Sequence, residues 1–294
     1  MASTVYFGNG SSQQWIKAPS TGLNASPVGW SSTQQLLDGR AFVKRSRASH
    51  REFNMNWLGS LNSTETSLQT IKDYHDGLYG DGPFYWLDPY AMSSNILPPQ
   101  WAAPGLAEKD WSKLTGSVTP SFTAATYANN YPAKYATYTL SSPGNYTDKA
   151  LTIIIPTGYT FHFGWHSTSA GVTAVTATGI RISRTLRSTG ANSDSDIASL
   201  LAGGTTKTNA TVNGDTYSKV TIYLRRVSGS TTPSVNIVAM IGLILPNGTS
   251  VPSGGFVAGR GTTGLEFGNP PTIEYYSAAI NSGQVGMSTK FIEV

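Results

Sequence analysis

The clearest pattern in the chain is an alternation of apolar and polar residues over positions 51–57. Phe53, Met55 and Trp57 fall on one face of an extended chain, because successive side chains of a strand point to opposite sides. A shorter apolar run, residues 41–43, follows Asp38-Gly39, a dipeptide that favours tight hairpin turns. The first 60 residues are therefore predicted to form short strands joined by turns.

Residues 62–79 show the period of an amphipathic helix instead. Apolar positions recur at helical spacing and form one stripe, which predicts a single helix with one buried face. His75 is interpreted as a half-buried member of this stripe rather than as a ligand. The stripe contains Leu68, Ile71, Tyr74, His75 and Leu78.

Residues 80–111 are dense in aromatic residues and proline. The apolar run 84–87 predicts a strand, and the prolines at 98, 99 and 104 predict an extended path. This segment has too much apolar surface for a flexible linker, so it packs either on its own domain or on a neighbouring copy. Phe84, Trp86 and Trp101 are therefore candidate subunit-interface residues.

The rest of the chain contains short strand-like runs separated by turn signals. Near residues 112–122 the composition shifts to Ser, Thr, Gly and Pro, which predicts a domain boundary. Six or more strands at such spacing favour a sandwich or jelly roll, and residues 194–201 are predicted to form a short helix on its rim. The predicted strands are 135–140, 151–155, 160–166, 179–186, 220–227 and 235–245.

Composition supports a mainly β fold and weighs against enzymes. Charged residues make up only 12% of the 294 residues, about half of the usual share near 25%. Ser, Thr, Asn and Gly cover the surface instead, which is common in extracellular and virion proteins. The absence of cysteine excludes disulfides and thiol nucleophiles.

The net charge is +4, and the densest basic stretch is residues 40–51. Arg45 and Arg47 lie on the same face of a predicted strand. A solvated or subunit-facing strand explains them better than a phosphate track, so they are candidate interface residues and no nucleic-acid sequence recognition is expected. No signal peptide is recognised at the start of the chain, and no apolar run approaches a membrane-helix length, so no membrane insertion is expected.

Groups that carry catalysis are scarce. Residues 120–294 contain only seven acidic side chains, which argues against a glycosidase with its pair of carboxylates. His162 and His166 lie about 13 Å apart along a predicted strand, too far to chelate one ion together. No catalytic, cofactor-binding or metal-binding residue is predicted.

Ligand binding remains open for the second half of the chain. Sugar-binding sandwiches place aromatic rings against pyranose rings, with polar groups that fix the orientation. Tyr159, Trp165 and His166 lie at or near predicted strand ends, so they are candidate glycan contacts. The alternative, that they are core residues, is favoured for each.

Several segments together suggest a family. VYFGN, WIKAP, LLDGRAFVKRSRASHREFNMNW and GLYGDGPFYWLDPYAMSSNILPPQW resemble the N-terminal part of minor tail proteins of actinobacterial siphophages. The closing GLEFGNPPTIEYYSAAINSGQVGMSTKFIEV is similar to the end of the same proteins. The layout also resembles distal tail proteins, and the match leaves open whether the chain is the distal tail ring or a neighbouring minor tail protein.

The resemblance implies a tail-tube-like β domain with one helix, residues 1–118, completed by a return strand within 272–294. A galectin-like or jelly-roll β-sandwich, residues 119–271, is inserted between them. Gln284–Val294 fits the return strand, with Val285, Met287, Thr289, Phe291 and Glu293 on one side.

The function that the resemblance implies is structural. The chain would form a hexameric ring at the virion tail tip, made in the host cytoplasm, that joins the tail tube to the baseplate or host-recognition apparatus. Its partners would be its own copies, the tail tube protein, the tape measure protein and other tail-tip proteins. The alternatives are a receptor-binding minor tail protein whose sandwich binds host cell-wall glycan and, less favoured, a cell-wall hydrolase.

Overall fold

The computed structural model of the chain is built mainly from antiparallel strands, which confirms the mainly β prediction. It separates into two compact units: unit 1 contains Met1–Tyr85 and Gly264–Val294, and unit 2 contains Trp86–Thr263. The structure describes residues 4–20, 25–28, 31–35, 41–45, 50–105, 120–124, 132, 134–139, 144–167, 178–197, 201–202, 208, 210–226, 234–254, 256–257, 259, 261, 264–275 and 284–294.

Most elements are short strands, and within the described residues there are two helices. In chain order the elements are β1 (Thr4–Gly8), β2 (Gln13–Lys17), β3 (Ala25–Val28), β4 (Ser31–Gln35), β5 (Ala41–Arg45), β6 (His50–Ser60), α1 (Leu61–His75), β7 (Tyr85–Leu87), α2 (Pro99–Ala102), β8 (Pro120–Ala124), β9 (Lys134–Thr139), β10 (Gly144–Ile154), β11 (Tyr159–Ser167), β12 (Thr178–Leu186), β13 (Asn192–Ile197), β14 (Leu201–Ala202), β15 (Ala210–Asn213), β16 (Tyr217–Arg226), β17 (Ser234–Ile237), β18 (Ala239–Pro246), β19 (Leu265–Phe267), β20 (Thr272–Tyr275) and β21 (Gln284–Glu293).

The central strand pair of unit 1 joins distant parts of the sequence. β6 pairs antiparallel with β21, which places Phe53 opposite Phe291 and Trp57 opposite Met287. These four side chains are buried, because the period-2 pattern turns one face of each strand inward. β3 pairs with β6, while β19 and β20 pair with β21. β21 therefore lies inside a five-stranded sheet, with β6 on one side and β19 and β20 on the other.

Helix α1 packs against β2, β6 and β21. The predicted stripe is correct for Leu68, Ile71 and Tyr74, which are buried, but Leu78 lies beyond the helix and is 69% exposed. Gly77 adopts φ +79° and ends the helix before Leu78. The amides of Gly77 and Leu78 donate to the carbonyls of Tyr74 and Asp73, as in a Schellman motif.

A cluster of aromatic rings forms part of the unit 1 core. Phe7 lies against Tyr74, Phe84 and Phe291, with ring centroids 5.3, 5.9 and 5.6 Å away. Phe267 lies 4.6 Å from Phe291 and 5.1 Å from Phe84. The cluster thus brings together rings from both segments of the chain that make up unit 1.

Unit 2 contains three sheets within its described residues. One has the order β10-β16-β12-β13, a second has β11 paired with β14, β15 and β18, and a third has the order β17-β9-β8. In the first sheet Ile182 lies opposite Ile222, and both are buried. The predicted helix over 194–201 is wrong, because Asp194 and Asp196 belong to β13, which pairs with β12.

β18 explains why one segment of the sequence is apolar throughout. Its residues from Ala239 to Leu245 are all buried, as expected for a strand covered on both faces. Ile241, Leu243 and Leu245 form one cluster, against which Val251 and Phe256 pack.

The proline-rich segment also packs on β18. The Ile96 amide donates to the Gly242 carbonyl at 2.8 Å, and the Ile244 amide donates to the Met92 carbonyl at 2.7 Å. The expected extended path is wrong at Pro99–Ala102, which forms α2, because proline is compatible with the first turn of a helix.

The unit boundaries differ from the predicted ones at 118/119 and 271/272. The first falls at Tyr85/Trp86 and the second at Thr263/Gly264. The composition shift near residue 112 therefore lies inside unit 2. The physical reason is that residues 92–97 bond to β18 in unit 2, whereas β19 pairs with β21 in unit 1.

Candidate functional site

The three candidate glycan contacts lie in very different environments on β11. Tyr159 is the first residue of the strand and is half-buried, whereas Trp165 is 4% exposed and His166 is fully buried. The Trp165 indole Nε1 donates to the Asn236 carbonyl at 3.3 Å. Only Tyr159 of the three therefore offers ring surface to a ligand in this structure.

His162 does not share the environment of His166. It is half-buried, and burial lowers the pKa of its imidazole below the usual 6.5. It lies opposite Thr211 on one side and Leu243 on the other. His162 is therefore biased toward its neutral form.

Exposed polar side chains surround the start of β11. Thr160 Oγ1 donates to Asn247 Oδ1 at 2.7 Å, and Asn247 Nδ2 donates to Asp215 Oδ2 at 2.6 Å. The Gly158 amide donates to Asp215 Oδ1 at 2.7 Å. Such groups can also hydrogen-bond hydroxyls of a ligand. Sequence reasoning missed Asp215 and Asn247, although each lies in a turn signal that the sequence displays.

The candidate interface residues of the aromatic segment belong to the core. Phe84 and Trp86 are each 4% exposed, and Trp101 is 7% exposed. The three rings are packed within their own chain, so they present almost no surface to a neighbouring copy. Arg45 is the last residue of β5, and its side chain lies outside the described part of the structure, as does Arg47.

Unit 1 instead exposes apolar side chains that the sequence analysis did not select. Trp15 is 42% exposed and Leu58 is 50% exposed. Side-chain hydrogen bonds link the two strands that carry them, because Lys17 Nζ donates to the Leu58 carbonyl at 3.2 Å and Trp57 Nε1 donates to the Lys17 carbonyl at 2.8 Å. These two side chains are the better candidates for subunit contacts.

A sequence signal for Leu58 did exist. The outward positions of β6 are Glu52, Asn54, Asn56 and Leu58, so one apolar residue follows three polar ones on the same face. The Trp15 signal is weaker, because either Trp15 or its neighbour Ile16 fits the buried position. The structure buries Ile16 and leaves Trp15 half covered, with its ring 5.1 Å from that of Tyr6.

The described residues form neither a metal cluster nor a membrane-spanning helix. Among the residues that the structure describes, no group of three or more His, Cys, Asp or Glu is placed to hold a metal ion. No helix in the same set is long and apolar enough to cross a membrane.

Comparison with known protein families, with curated proteins and with solved structures gave no match to the chain. The fold alone defines the chain as a mainly β protein of two units.

Proposed function

We propose that the chain is a structural component of a bacteriophage tail tip. Copies of it form a closed ring, hexameric by analogy with distal tail proteins, that connects the tail tube to the baseplate or host-recognition apparatus. Its partners are its own copies, the tail tube protein, the tape measure protein and other tail-tip proteins. No catalytic role is assigned to it.

The observation that most supports this function is the split organisation of unit 1. β21 comes from the end of the sequence and pairs along nine residues of β6, while unit 2 occupies the chain between them. A first β domain closed by a late return strand, with a second β domain inserted, is the layout that the resemblance implies.

Exposed apolar surface on unit 1 gives independent support. Trp15 lies on β2 and Leu58 on β6, two strands linked by the hydrogen bond from Lys17 Nζ to the Leu58 carbonyl, and both side chains remain about half exposed. A ring in which each copy contacts the next through two different patches would bury such side chains without leaving open ends.

Mass photometry of the purified chain, alone and with neighbouring tail proteins, tests ring formation. The expected particles have masses that are multiples of 31.3 kDa, and Leu58→Ser shifts them toward single copies. Val257→Ser is the matched control, since Val257 is an exposed apolar residue of unit 2. Single copies under all conditions would count against a ring.

A second function, receptor binding, is favoured by the surroundings of Tyr159. Tyr159 directly precedes Thr160, whose hydroxyl belongs to a hydrogen-bonding network with Asn247 and Asp215. An aromatic side chain with polar groups nearby suits a host cell-wall polysaccharide. Tyr159→Ala should weaken binding to purified host walls and leave the fold intact. Tyr90→Ala is the control, because Tyr90 is an exposed tyrosine elsewhere in unit 2. If wild type fails to bind walls, this alternative is excluded.

A further inference from the structure

The sequence contains three Asn-Gly dipeptides, at residues 9–10, 213–214 and 247–248. In such a dipeptide the glycine nitrogen can attack the carbonyl carbon of the asparagine side chain, because glycine has no side chain to block the approach and its backbone turns freely. The attack needs an accessible side chain and a glycine amide that no other group holds. The three dipeptides differ in both respects.

The first asparagine, Asn9, is buried and firmly held. It is 3% exposed, and its Oδ1 accepts hydrogen bonds from the amides of Ser11 and Ser12 at 2.9 and 2.8 Å. Its Nδ2 donates to the carbonyls of residues 79–81 in the loop after α1. Rotation of this side chain would break several buried hydrogen bonds at once, so Asn9 should react slowly in the folded chain.

The second asparagine, Asn213, is exposed at the end of β15, but the glycine that follows it is not available. The Gly214 amide donates to the Tyr159 carbonyl at 2.8 Å. A Cβ on Gly214 would overlap the Pro156 carbonyl, so the backbone here has no room to move. The nitrogen that would attack Asn213 is therefore held in another bond.

The third dipeptide leaves both reacting groups accessible. Asn247 and Gly248 are exposed, and Gly248 adopts φ +79° in open space, where a Cβ would meet no atom within 4 Å. No residue of the described part of the chain accepts a hydrogen bond from the Gly248 amide. This nitrogen can therefore approach the neighbouring side chain.

Two exposed hydrogen bonds hold the Asn247 side chain. Thr160 Oγ1 donates to its Oδ1 at 2.7 Å, and its Nδ2 donates to Asp215 Oδ2 at 2.6 Å. Water competes for both bonds because they lie at the surface, so their net contribution is small. The side chain of Asn247 can rotate toward the Gly248 amide at much lower cost than the side chain of Asn9 can rotate.

We propose that Asn247 is a site of spontaneous deamidation. Hydroxide removes the proton of the Gly248 amide, the nitrogen bonds to Asn247 Cγ, and the bond from Cγ to Nδ2 breaks. The Nδ2 nitrogen takes up a proton and leaves as ammonia, which gives a cyclic succinimide. Water then opens the ring at either of its carbonyls and leaves aspartate or isoaspartate at position 247.

The product changes the contacts at this end of unit 2. A carboxylate at position 247 cannot donate to Asp215, and it places a second negative charge beside that side chain. Asp215 Oδ1 accepts a hydrogen bond from the Gly158 amide at 2.7 Å, so the repulsion reaches the residues that lead into β11. The reaction runs in one direction and does not depend on the proposed ring.

Peptide mapping by mass spectrometry tests the site in the full chain. After incubation at mildly alkaline pH and digestion in acid, the peptide that contains Asn247 should gain the mass difference between an amide and an acid. Asn9 and Asn213 should convert at least about tenfold more slowly. In concentrated urea the three asparagines should convert at similar rates, because unfolding removes the differences in their surroundings.

Gly248→Ala separates attack by residue 248 from general exposure. The added methyl group hinders the nitrogen, so conversion of Asn247 should slow by about tenfold or more. Gly190→Ala is the matched control, because Gly190 also has a positive φ, +71°, and open space around it. Both variants carry the same kind of backbone strain, but only the first should change the rate at Asn247. Circular dichroism checks the fold of each variant.

Asn247→Asp imitates one product of the reaction. Hydrogen exchange read by mass spectrometry should show a loss of protection in peptides that cover residues 156–160. Asn192→Asp is the control, because it adds the same charge at an exposed asparagine elsewhere in unit 2, and it should leave these peptides unchanged. Equal protection in Asn247→Asp and wild type would overturn the effect on Asp215.

Two results would overturn the deamidation site itself. One is conversion of Asn9 or Asn213 in the folded chain as fast as that of Asn247. The other is an intact Asn247 in the folded chain after a period in which the unfolded chain converts. Both results come from wild type, so they decide the proposal even if Gly248→Ala fails to fold.

Discussion

Arg51 and Glu293 form a two-bonded ion pair between β6 and β21. Arg51 Nη2 lies 2.7 Å from Glu293 Oε1, and Arg51 Nε lies 2.9 Å from Oε2. The two side chains are only 14% and 6% exposed, and the guanidinium lies 5.7 Å from the centroid of the Phe53 ring. Because 242 residues separate the partners, the pair stabilises the closure of unit 1 by the end of the chain.

Removing one partner should open this closure. Glu293→Ala leaves the Arg51 charge largely buried without its carboxylate, which should cost unit 1 about 3 kcal/mol. Hydrogen exchange read by mass spectrometry should show faster exchange in peptides from β6 and β21. Replacing both partners, Arg51→Met with Glu293→Leu, should recover most of the loss, because an apolar pair needs no charge compensation.

The adjacent ion pair provides the control. Lys290 Nζ lies 2.7 Å from Glu52 Oε2 on the outward face of the same strands, with side chains 33% and 22% exposed. Lys290→Met should change the stability by no more than about 1 kcal/mol. An equal loss in both variants would mean that burial does not set the strength of the Arg51–Glu293 pair.

Much of unit 1 was predictable because its signals are local. Alternation identified the inward face of β6, and the resemblance placed Phe291 and Glu293 on one side of the return strand. Arg51 shares the face of Phe53, because the two residues are two positions apart on one strand. The pairing of Arg51 with Glu293 was not predictable, because it depends on the register between strands far apart in sequence. The unit boundary at Tyr85/Trp86 was missed for a similar reason, since hydrogen bonds to β18 decide it.

Asn95 should be essential to unit 2. It is fully buried, and its side chain makes four hydrogen bonds to backbone groups, so Asn95→Ala should cost about 3 kcal/mol by leaving several of them unsatisfied. Urea unfolding followed by tryptophan fluorescence measures the loss. The four partners are the carbonyls of Met240 and Val257 and the amides of Leu97 and Gly242.

Asn192 is the matched control for Asn95. It is exposed, and its amide oxygen accepts one hydrogen bond from Thr185 Oγ1 at 2.9 Å. Asn192→Ala should change the stability by about 0.5 kcal/mol or less. If Asn95→Ala were as mild, the backbone groups around residue 95 would have found other partners.

His162 should make stability depend on pH in the acidic range. Because its folded pKa lies below the usual 6.5, the unfolded chain binds a proton more readily than the folded chain there. The contribution of neutral His162 to the free energy of unfolding is therefore fully present above pH 6.5, and it declines as the pH falls through the folded pKa. His162→Gln should flatten this part of the stability profile, and an unchanged slope in that variant would exclude His162 as its source.

Glu266 should act in the opposite direction. Its folded pKa is raised above 4.5, so the folded chain holds the proton more tightly and stability falls as the pH rises through the folded pKa. Glu266→Gln should be more stable than wild type at neutral pH and equally stable well below pH 4.5. Urea unfolding at both pH values measures this. A variant less stable than wild type at neutral pH would contradict the destabilisation of the carboxylate by burial and by the charge of Asp81.

The candidate sites were less predictable than the strands. Tyr159, Trp165 and His166 all lie at or near predicted strand ends, and the sequence does not show which of them is buried. In the structure Trp165 and His166 are buried on β11, which pairs with β18. Phe84, Trp86 and Trp101 likewise became core residues when their segment packed within the chain.

Cryo-electron microscopy of native phage particles, with the chain located by a bound antibody fragment, tests the proposed function most directly. A closed ring of six copies at the tail tip, directly below the tail tube, is the expected result. Unit 1 should form the contacts between copies, with Trp15 and Leu58 buried in them. A particle that lacks the chain, or carries it as isolated copies away from the tube, would contradict the ring-forming role.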